Sequence, residues 1–178
     1  QKTSQRSLEQ LVELTKRYYV TEKAGQLAKD LEKLAKEQGD LAEDKINSDT
    51  TNKDQEKLNQ QFEELTKELD ELQNDNKDLK KPIDLNVSED TKQGVKDNQE
   101  QALEEIQKYQ GNEQASDMEK MKQNASSAKK NQKSAAQKMK EMSEALGDSS
   151  SGGGASSVAE DAEMLRQILD NLVVFSFK

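Results

Sequence analysis

The stretch LAKDLEKLAKEQGDLAED, residues 27–44, decides how this chain folds. Its inward positions are Leu27, Leu31, Leu34, Gln38 and Leu41, which are separated by alternating steps of four and three residues. A straight α-helix has about 3.6 residues per turn, so a stripe with this spacing stays on one face only when helices wrap around each other. The stretch therefore predicts a helix that buries a narrow seam against neighbouring helices.

The composition favours helices and limits the size of the core. Of the 178 residues, 30% are hydrophobic, 3% aromatic and 35% charged, so a thick globular core is not available. Pro82 is the single proline, and long stretches of helix-favouring residues surround it. Apolar residues this sparse are buried only along narrow stripes. We therefore predict an all-α, elongated antiparallel helical bundle or coiled coil of about five helices.

Residues 1–80 are predicted to form a helical hairpin. The first helix is placed at about 7–46, because Ser7 to Gln10 has the form of a capping box. The second is placed at about 52–80, after the turn formers NSDTTN at 47–52, and it ends before Pro82. Its inward positions keep the same alternation: Leu58, Phe62, Leu65, Leu69, Leu72, Asn76 and Leu79.

Asn76 is the one polar residue in the seam of the second helix. A polar side chain at such a position costs stability but penalises wrong registers, because its amide must find a partner. We predict that Asn76 sets the register of the helices. The alternative is that it frays the end of its helix.

The middle of the chain is predicted to hold a connector at 81–88 and a helical segment at 89–146 with a break near 111–116. Ser88 suits the N-cap of that segment, and Ser116 opens a further capping box. A stripe after the break is interpreted as core, with a Met-rich docking groove as the alternative: Met118, Met121, Ala125, Ala128, Gln132, Ala135, Met139, Met142 and Leu146. Gly147 is expected to end the helix, and residues 147–157 to form a Gly/Ser linker.

Residues 158–178 are predicted to form the most apolar helix of the chain. We predict that this helix binds a partner through Leu165, Ile168, Leu169, Leu172 and Phe175, because an exposed apolar patch tends to dock. The partner is expected to be a protein or a second copy, bound through helix faces. The apolar run is too short to span a bilayer, so membrane contact would come only through a transmembrane part missing from this sequence.

The residues offer no constellation for catalysis. The chain has no cysteine and no histidine, so thiolate and imidazole chemistry are excluded. Carboxylate pairs at helical spacing, such as Glu100 with Glu104, lie among lysines in the manner of a solvated helix face. We predict no catalytic residue, no metal site and no cofactor, and therefore not an enzyme. The net charge of −9 makes nucleic acid a poor partner.

Three stretches resemble a family of large, uncharacterised multi-pass membrane proteins of Flavobacteria-type Bacteroidota. They are RSLEQLVELTKRYYVTEKAGQLAKDLEKLAKEQ at 6–38, QKSAAQKMKEMSEAL at 132–146 and AEMLRQILDNLVVFSF at 162–177. Those proteins carry N-terminal transmembrane helices followed by a long helical region rich in Gln and Lys. The resemblance implies a place in the cell envelope, in the soluble periplasmic part of an inner-membrane protein. It supplies no catalytic residues.

The expected function is that of a non-enzymatic structural or partner-binding coiled-coil module of a bacterial cell-envelope protein. One alternative is a holdase-type chaperone that cradles unfolded clients between its helices. Another is a pore-forming or membrane-remodelling helical protein.

Overall fold

The computed structural model describes residues 2–151 and 163–171, and these form five helices with no strand among them. Four helices are long: α1 is Lys2–Glu43, α2 is Ser48–Lys77, α3 is Glu89–Gln114 and α4 is Met118–Ser151. A shorter C-terminal helical segment covers residues 163–171. The predicted all-α class and the helical bundle are confirmed.

The four long helices pack side by side around one core. Helix α1 contacts α2 and α4, and α3 also contacts α2 and α4. The turns after α1 and α3 are short, which makes consecutive helices antiparallel. Helices α1 and α4 are also antiparallel, since Gly25 faces Ser150 and Gly39 faces Ala136. The result is an up-down-up-down bundle whose longest member, α1, has 42 residues.

The seams predicted from the leucine spacing are buried in the core. Leu31, Phe62, Val95 and Met139, one from each helix, are at most 2% exposed. Burying a side chain of this size stabilises the fold by about 1.5–3 kcal/mol relative to leaving it in water. The Met stripe is core at its centre, whereas Met118 at the start of α4 is 64% exposed.

The helix limits in the hairpin differ from the predicted ones. Helix α1 begins at Lys2, so Ser7 lies inside the helix and does not start it. Helix α2 begins at Ser48, within the predicted turn. The early start of α2 has a local physical reason. The backbone N–H of Asn47 donates to Thr51 Oγ1 over 3.0 Å, so a side chain of the first turn satisfies it.

The predicted break near 111–116 is a tight turn at 115–117. Helix α3 passes through Gly111 to Gln114, and the chain then reverses at Ser116, whose φ is 58°. Asp117 rather than Ser116 caps α4, because Lys120 N–H donates to Asp117 Oδ1 over 3.2 Å.

The predicted N-cap of α3 is present in the structure. The backbone N–H of Thr91 donates to Ser88 Oγ over 3.1 Å. Glu89 and Asp90 follow in the first turn, where acidic residues interact favourably with the helix dipole.

Helix α4 continues through Gly147 to Ser151 instead of ending at Gly147. A Cβ at Gly147 would lie 4.0 Å from the Cβ of Ala28, so this glycine lies against α1. Ser149 Oγ lies 2.9 Å from the carbonyl oxygen of Ala145 and 2.6 Å from that of Asp84 in the connector, so its single hydroxyl hydrogen is shared between them. Packing and these hydrogen bonds keep serine-rich sequence helical. The rest of the predicted linker lies outside the described residues.

The connector between α2 and α3 folds back onto the bundle. Leu79 and Leu85 are buried, at 4% and 6% exposure. Ile83 and Val87 are partly buried and pack against the same core. The connector therefore closes one end of the bundle.

Candidate functional site

The predicted partner-binding residues are only partly on the surface. Leu165 and Leu169 are 38% and 50% exposed, and their spacing of four residues places them on one helix face. Ile168 is 3% exposed, so it belongs to the buried side of the segment. Leu172 and Phe175 lie outside the described residues. The structure thus presents two of the five predicted residues to solvent.

A second exposed apolar stripe lies at the start of α1, and sequence analysis missed it. Leu8, Val12 and Tyr19 are 52%, 53% and 55% exposed, and steps of four and seven place them on one face. Tyr18 is also exposed, at 68%. The steps of four and seven residues are visible in the sequence, but the predicted seam of the first helix was followed only from Leu27 onward.

The exposed stripe lies on the part of α1 that precedes its contact with α4. Gly25 already faces Ser150, and the described part of α4 ends one residue later. Within the described residues, α4 therefore does not run beside residues 2–19 of α1, and we call residues 2–19 the α1 overhang. Just before the connector, Lys80 N–H donates to Glu13 Oε1 of the overhang over 2.7 Å. The exposed stripe thus lies outside the contact between α1 and the described part of α4.

A layer of four glutamines crosses the middle of the core. Gln38, Gln55, Gln99 and Gln132 come one from each long helix and are at most 3% exposed. Gln38 and Gln55 exchange two hydrogen bonds of 2.9 Å. Gln99 Nε2 donates to Gln38 Oε1 over 3.2 Å, and Gln132 Nε2 donates to Gln55 Oε1 over 3.0 Å.

This glutamine layer penalises wrong alignments of the four helices. A buried amide left without a hydrogen-bond partner costs about 1–3 kcal/mol, so sliding one helix would leave several amides unpaired. Sequence analysis placed Gln38 and Gln132 in seams but did not show that they meet. Gln55 and Gln99 were not singled out, although each lies one heptad step from a predicted seam residue.

Asn76, the residue predicted to set register, is buried and fully engaged at the end of α2. It is 8% exposed. Its Nδ2 donates to the carbonyl of Ile83 over 2.6 Å, and Ile83 N–H donates to Asn76 Oδ1 over 2.8 Å. Its partner is the connector rather than another helix. The role in register stays a prediction, and the observed contact anchors the connector.

Lys92 on α3 is the most deeply buried charged side chain of the described residues, at 5% side-chain exposure. Its ammonium lies 2.6 Å from Asp70 and 2.5 Å from Glu89. Burial lowers the pKa of Lys92, but the hydrogen bonds with the two carboxylates outweigh it, and the pKa lies above its ordinary value of 10.5. The amine therefore stays protonated at neutral pH and is not a nucleophile.

The described residues contain no group of three or more acidic side chains placed to hold a metal ion. Within the same residues, none of the helices has the length and apolar character needed to cross a bilayer. Comparison with protein families, with curated proteins and with solved structures finds no match to this chain.

Proposed function

We propose that this chain is a non-enzymatic helical module that binds a protein partner, a second copy of itself, through apolar residues outside its bundle core. One observation carries the proposal. Eight large hydrophobic residues are exposed in the described part of the chain, and seven of them lie in the α1 overhang or in the C-terminal helical segment. These seven are Leu8, Val12, Tyr18, Tyr19, Met164, Leu165 and Leu169.

The clustering supports an interface because scattered single hydrophobic residues are normal on a surface, whereas clustered ones mark contact sites. Tyrosine adds large contact area at little entropic cost and is enriched at the centres of interfaces. The buried core gives the module a rigid support for these residues. The resemblance to Bacteroidota membrane proteins supports a place in the cell envelope.

A holdase is the competing function. It needs methionines and leucines exposed inside the bundle, where an unfolded client would bind. Met139 and Met142 are at most 1% exposed, so the structure offers no apolar cleft at these positions. We therefore prefer a defined partner interface over general capture of unfolded chains.

The test is the association of the full chain with itself, measured by sedimentation equilibrium over a wide concentration range. The variants Leu8→Ser with Val12→Ser, and Leu165→Ser with Leu169→Ser, are expected to dissociate the larger species to single chains. Exposed substitutions of this kind change stability by about 0.5 kcal/mol or less, so the fold is retained. Deleting residues 157–178 is expected to weaken association without unfolding α1 and α2.

Met118→Ser is the matched control, since Met118 is 64% exposed but lies apart from both surfaces. It is expected to leave association unchanged. Unaltered mass distributions in both double variants and in the deletion would reject the proposal. Suppression of client aggregation at stoichiometric amounts by every variant would favour the holdase.

A further inference from the structure

A groove runs along the contact between α1 and α4. It has a volume of about 740 Å³, and its floor is formed by the small residues Ala35, Gly39 and Ala136. A Cβ at Gly39 would lie 3.9 Å from the Cβ of Ala136, so the two helices approach closely there. The longer side chains on either side therefore stand above the floor as walls.

The walls of this α1/α4 groove are positively charged on an acidic protein. Its lining holds five lysines and two glutamates, a net charge of +3. The lysines are Lys29, Lys33 and Lys36 of α1 and Lys133 and Lys140 of α4. The whole chain carries −9, and α2 alone has nine acidic and four basic residues. The groove is thus a local site for an anionic partner.

Most of these lysines are available to a ligand. Within the described residues, Lys29 and Lys36 form no ion pair. Lys33 and Lys140 each form a long ion pair with a glutamate of the same helix, with 3.9 Å between nitrogen and oxygen. Lys133 is the exception, because it forms a 2.6 Å ion pair. Binding an external carboxylate would therefore break few existing contacts.

The spacing of the lysines matches a helix. Lys29, Lys33 and Lys36 lie on successive turns, and seven residues cover about 10 Å of helix axis. Lys133 and Lys140 span the same distance on the opposite wall. Carboxylates three, four and seven residues apart on one helix face repeat with this period. We propose that the α1/α4 groove binds a helix of another protein that presents a stripe of glutamates or aspartates.

Other anionic partners fit the groove less well. The described residues that line the groove include no aromatic side chain, so they offer no platform on which nucleic-acid bases would stack. The net charge of −9 repels a polyanion of high charge density. A recessed floor of small residues suits the ridge of a helix better than the flat surface of a membrane.

The probe is a fluorescent alanine-rich peptide of about 14 residues, roughly 21 Å as a helix, with glutamates on one face. An isomer with the same composition but glutamates spread around the helix is its counterpart. Fluorescence anisotropy with the full chain is expected to show the striped peptide binding about tenfold tighter than the isomer. Raising the salt concentration is expected to weaken binding.

Two groove variants test the site from different directions. Lys29→Gln with Lys33→Gln and Lys36→Gln removes one wall's charge and is expected to weaken binding about tenfold. Ala136→Leu fills the floor without changing charge and is expected to weaken it about fivefold. The charge-matched control replaces the exposed Lys53, Lys57 and Lys130 by glutamine and is expected to change affinity less than about twofold.

Three results would overturn the proposal. Equal losses in the groove variant and the charge-matched control would mean that only overall charge matters. Tighter binding of single-stranded DNA or of phosphatidylglycerol vesicles would assign the groove to another partner class. Dissociation of a self-assembled species by the groove variants would assign it to a second copy. The leucine-to-serine variants are expected to bind the peptide normally, so the groove and the apolar interface are tested separately.

Discussion

Gln38 occupies the centre of the bundle, where its carbonyl oxygen accepts hydrogen bonds from two other helices. A leucine there would add apolar burial without requiring any partner. Polar layers of this kind often cost stability relative to apolar packing, and their best-attested benefit is a unique alignment. The glutamine layer therefore contributes specificity at the expense of stability.

Gln38→Leu is expected to lower the free energy of unfolding by about 1–3 kcal/mol, because Nε2 of Gln99 loses its acceptor and Gln55 keeps only its hydrogen bonds with Asn59 and Gln132. Replacing all four glutamines by leucine is expected to restore or exceed the original stability, since no buried amide remains. Chemical denaturation monitored by circular dichroism measures both changes. A quadruple variant less stable than the single one would contradict this account of the layer.

The ion pairs of Lys92 join a buried ammonium group to two exposed carboxylates. Asp70 and Glu89 have 59% and 77% of their side chains exposed, so water solvates them when the ammonium is removed. Lys92→Met keeps the apolar stem and is expected to change the free energy of unfolding by less than about 1 kcal/mol.

The reverse change is expected to cost more. Asp70→Asn with Glu89→Gln leaves the buried ammonium of Lys92 without an anionic partner, at about 1–3 kcal/mol. Denaturation curves of the two variants under identical conditions give the comparison. Equal losses would show that Lys92 reaches water when its partners are removed.

At the scale of elements, two adjacent residues, Ser116 and Asp117, are candidates for the N-cap of α4. Ser116 has the sequence form of a capping box, but its left-handed backbone ends α3, and Asp117 accepts the first amide of α4 instead. Hydrogen bonding with the side chain and the backbone N–H of Lys120 lowers the pKa of Asp117 below its ordinary value of 3.8.

Asp117→Ala is therefore expected to lower the Tm, whereas Ser116→Ala is expected to leave it nearly unchanged. The contribution of the Asp117 cap is present above pH 3.8 and is lost as the pH falls through the lowered pKa. Thermal unfolding followed by circular dichroism at neutral and acidic pH measures this. A larger loss from Ser116→Ala would assign the cap to the serine.

Helices and their buried faces were predictable from the sequence, and their exact ends were not. The alternation of three and four residues identifies seams without reference to any partner, because it reflects helix geometry alone. Helix ends depend on competition between neighbouring cap formers and on packing. Gly147 stays helical because it lies against α1, and that contact is invisible to a local pattern.

At the scale of the whole molecule, the hydrogen-bonded contact among the four glutamines could not be predicted from the sequence. Each glutamine sits at an ordinary seam position, and their meeting depends on the relative shift of four helices. The α1 overhang depends on the same shift, since Gly25 of α1 lies beside Ser150, near the end of the described part of α4. Both features of the candidate site therefore belong to the assembled bundle rather than to any one helix.

Acid is expected to destabilise the bundle only below about pH 4.5. Hydrogen bonds from Lys133 and Lys129 hold the pKa of Glu43 below its ordinary value of 4.5, so its contribution is present above that pH and is lost as the pH falls through the lowered pKa. Between neutral pH and the pI of about 4.8, falling net charge relieves self-repulsion.

Thermal unfolding at successive pH values measures how the Tm depends on pH. The Tm is expected to stay constant or rise slightly on acidification and then to fall. Glu43→Gln is expected to flatten the acidic limb, because one carboxylate with a lowered pKa is gone. A steady loss of stability from neutral pH downward would contradict the assignment.

The placement of the aromatic residues has a consequence for spectroscopy. The chain has no tryptophan, and of its three tyrosines Tyr18 and Tyr19 lie exposed on α1 while Tyr109 is half-buried. Intrinsic ultraviolet emission will therefore report chiefly on the first helix, ahead of its contact with α4. A partner that covers this stretch will change the emission of a fully folded protein. A variant with a disturbed interior will remain optically silent until the backbone itself unwinds.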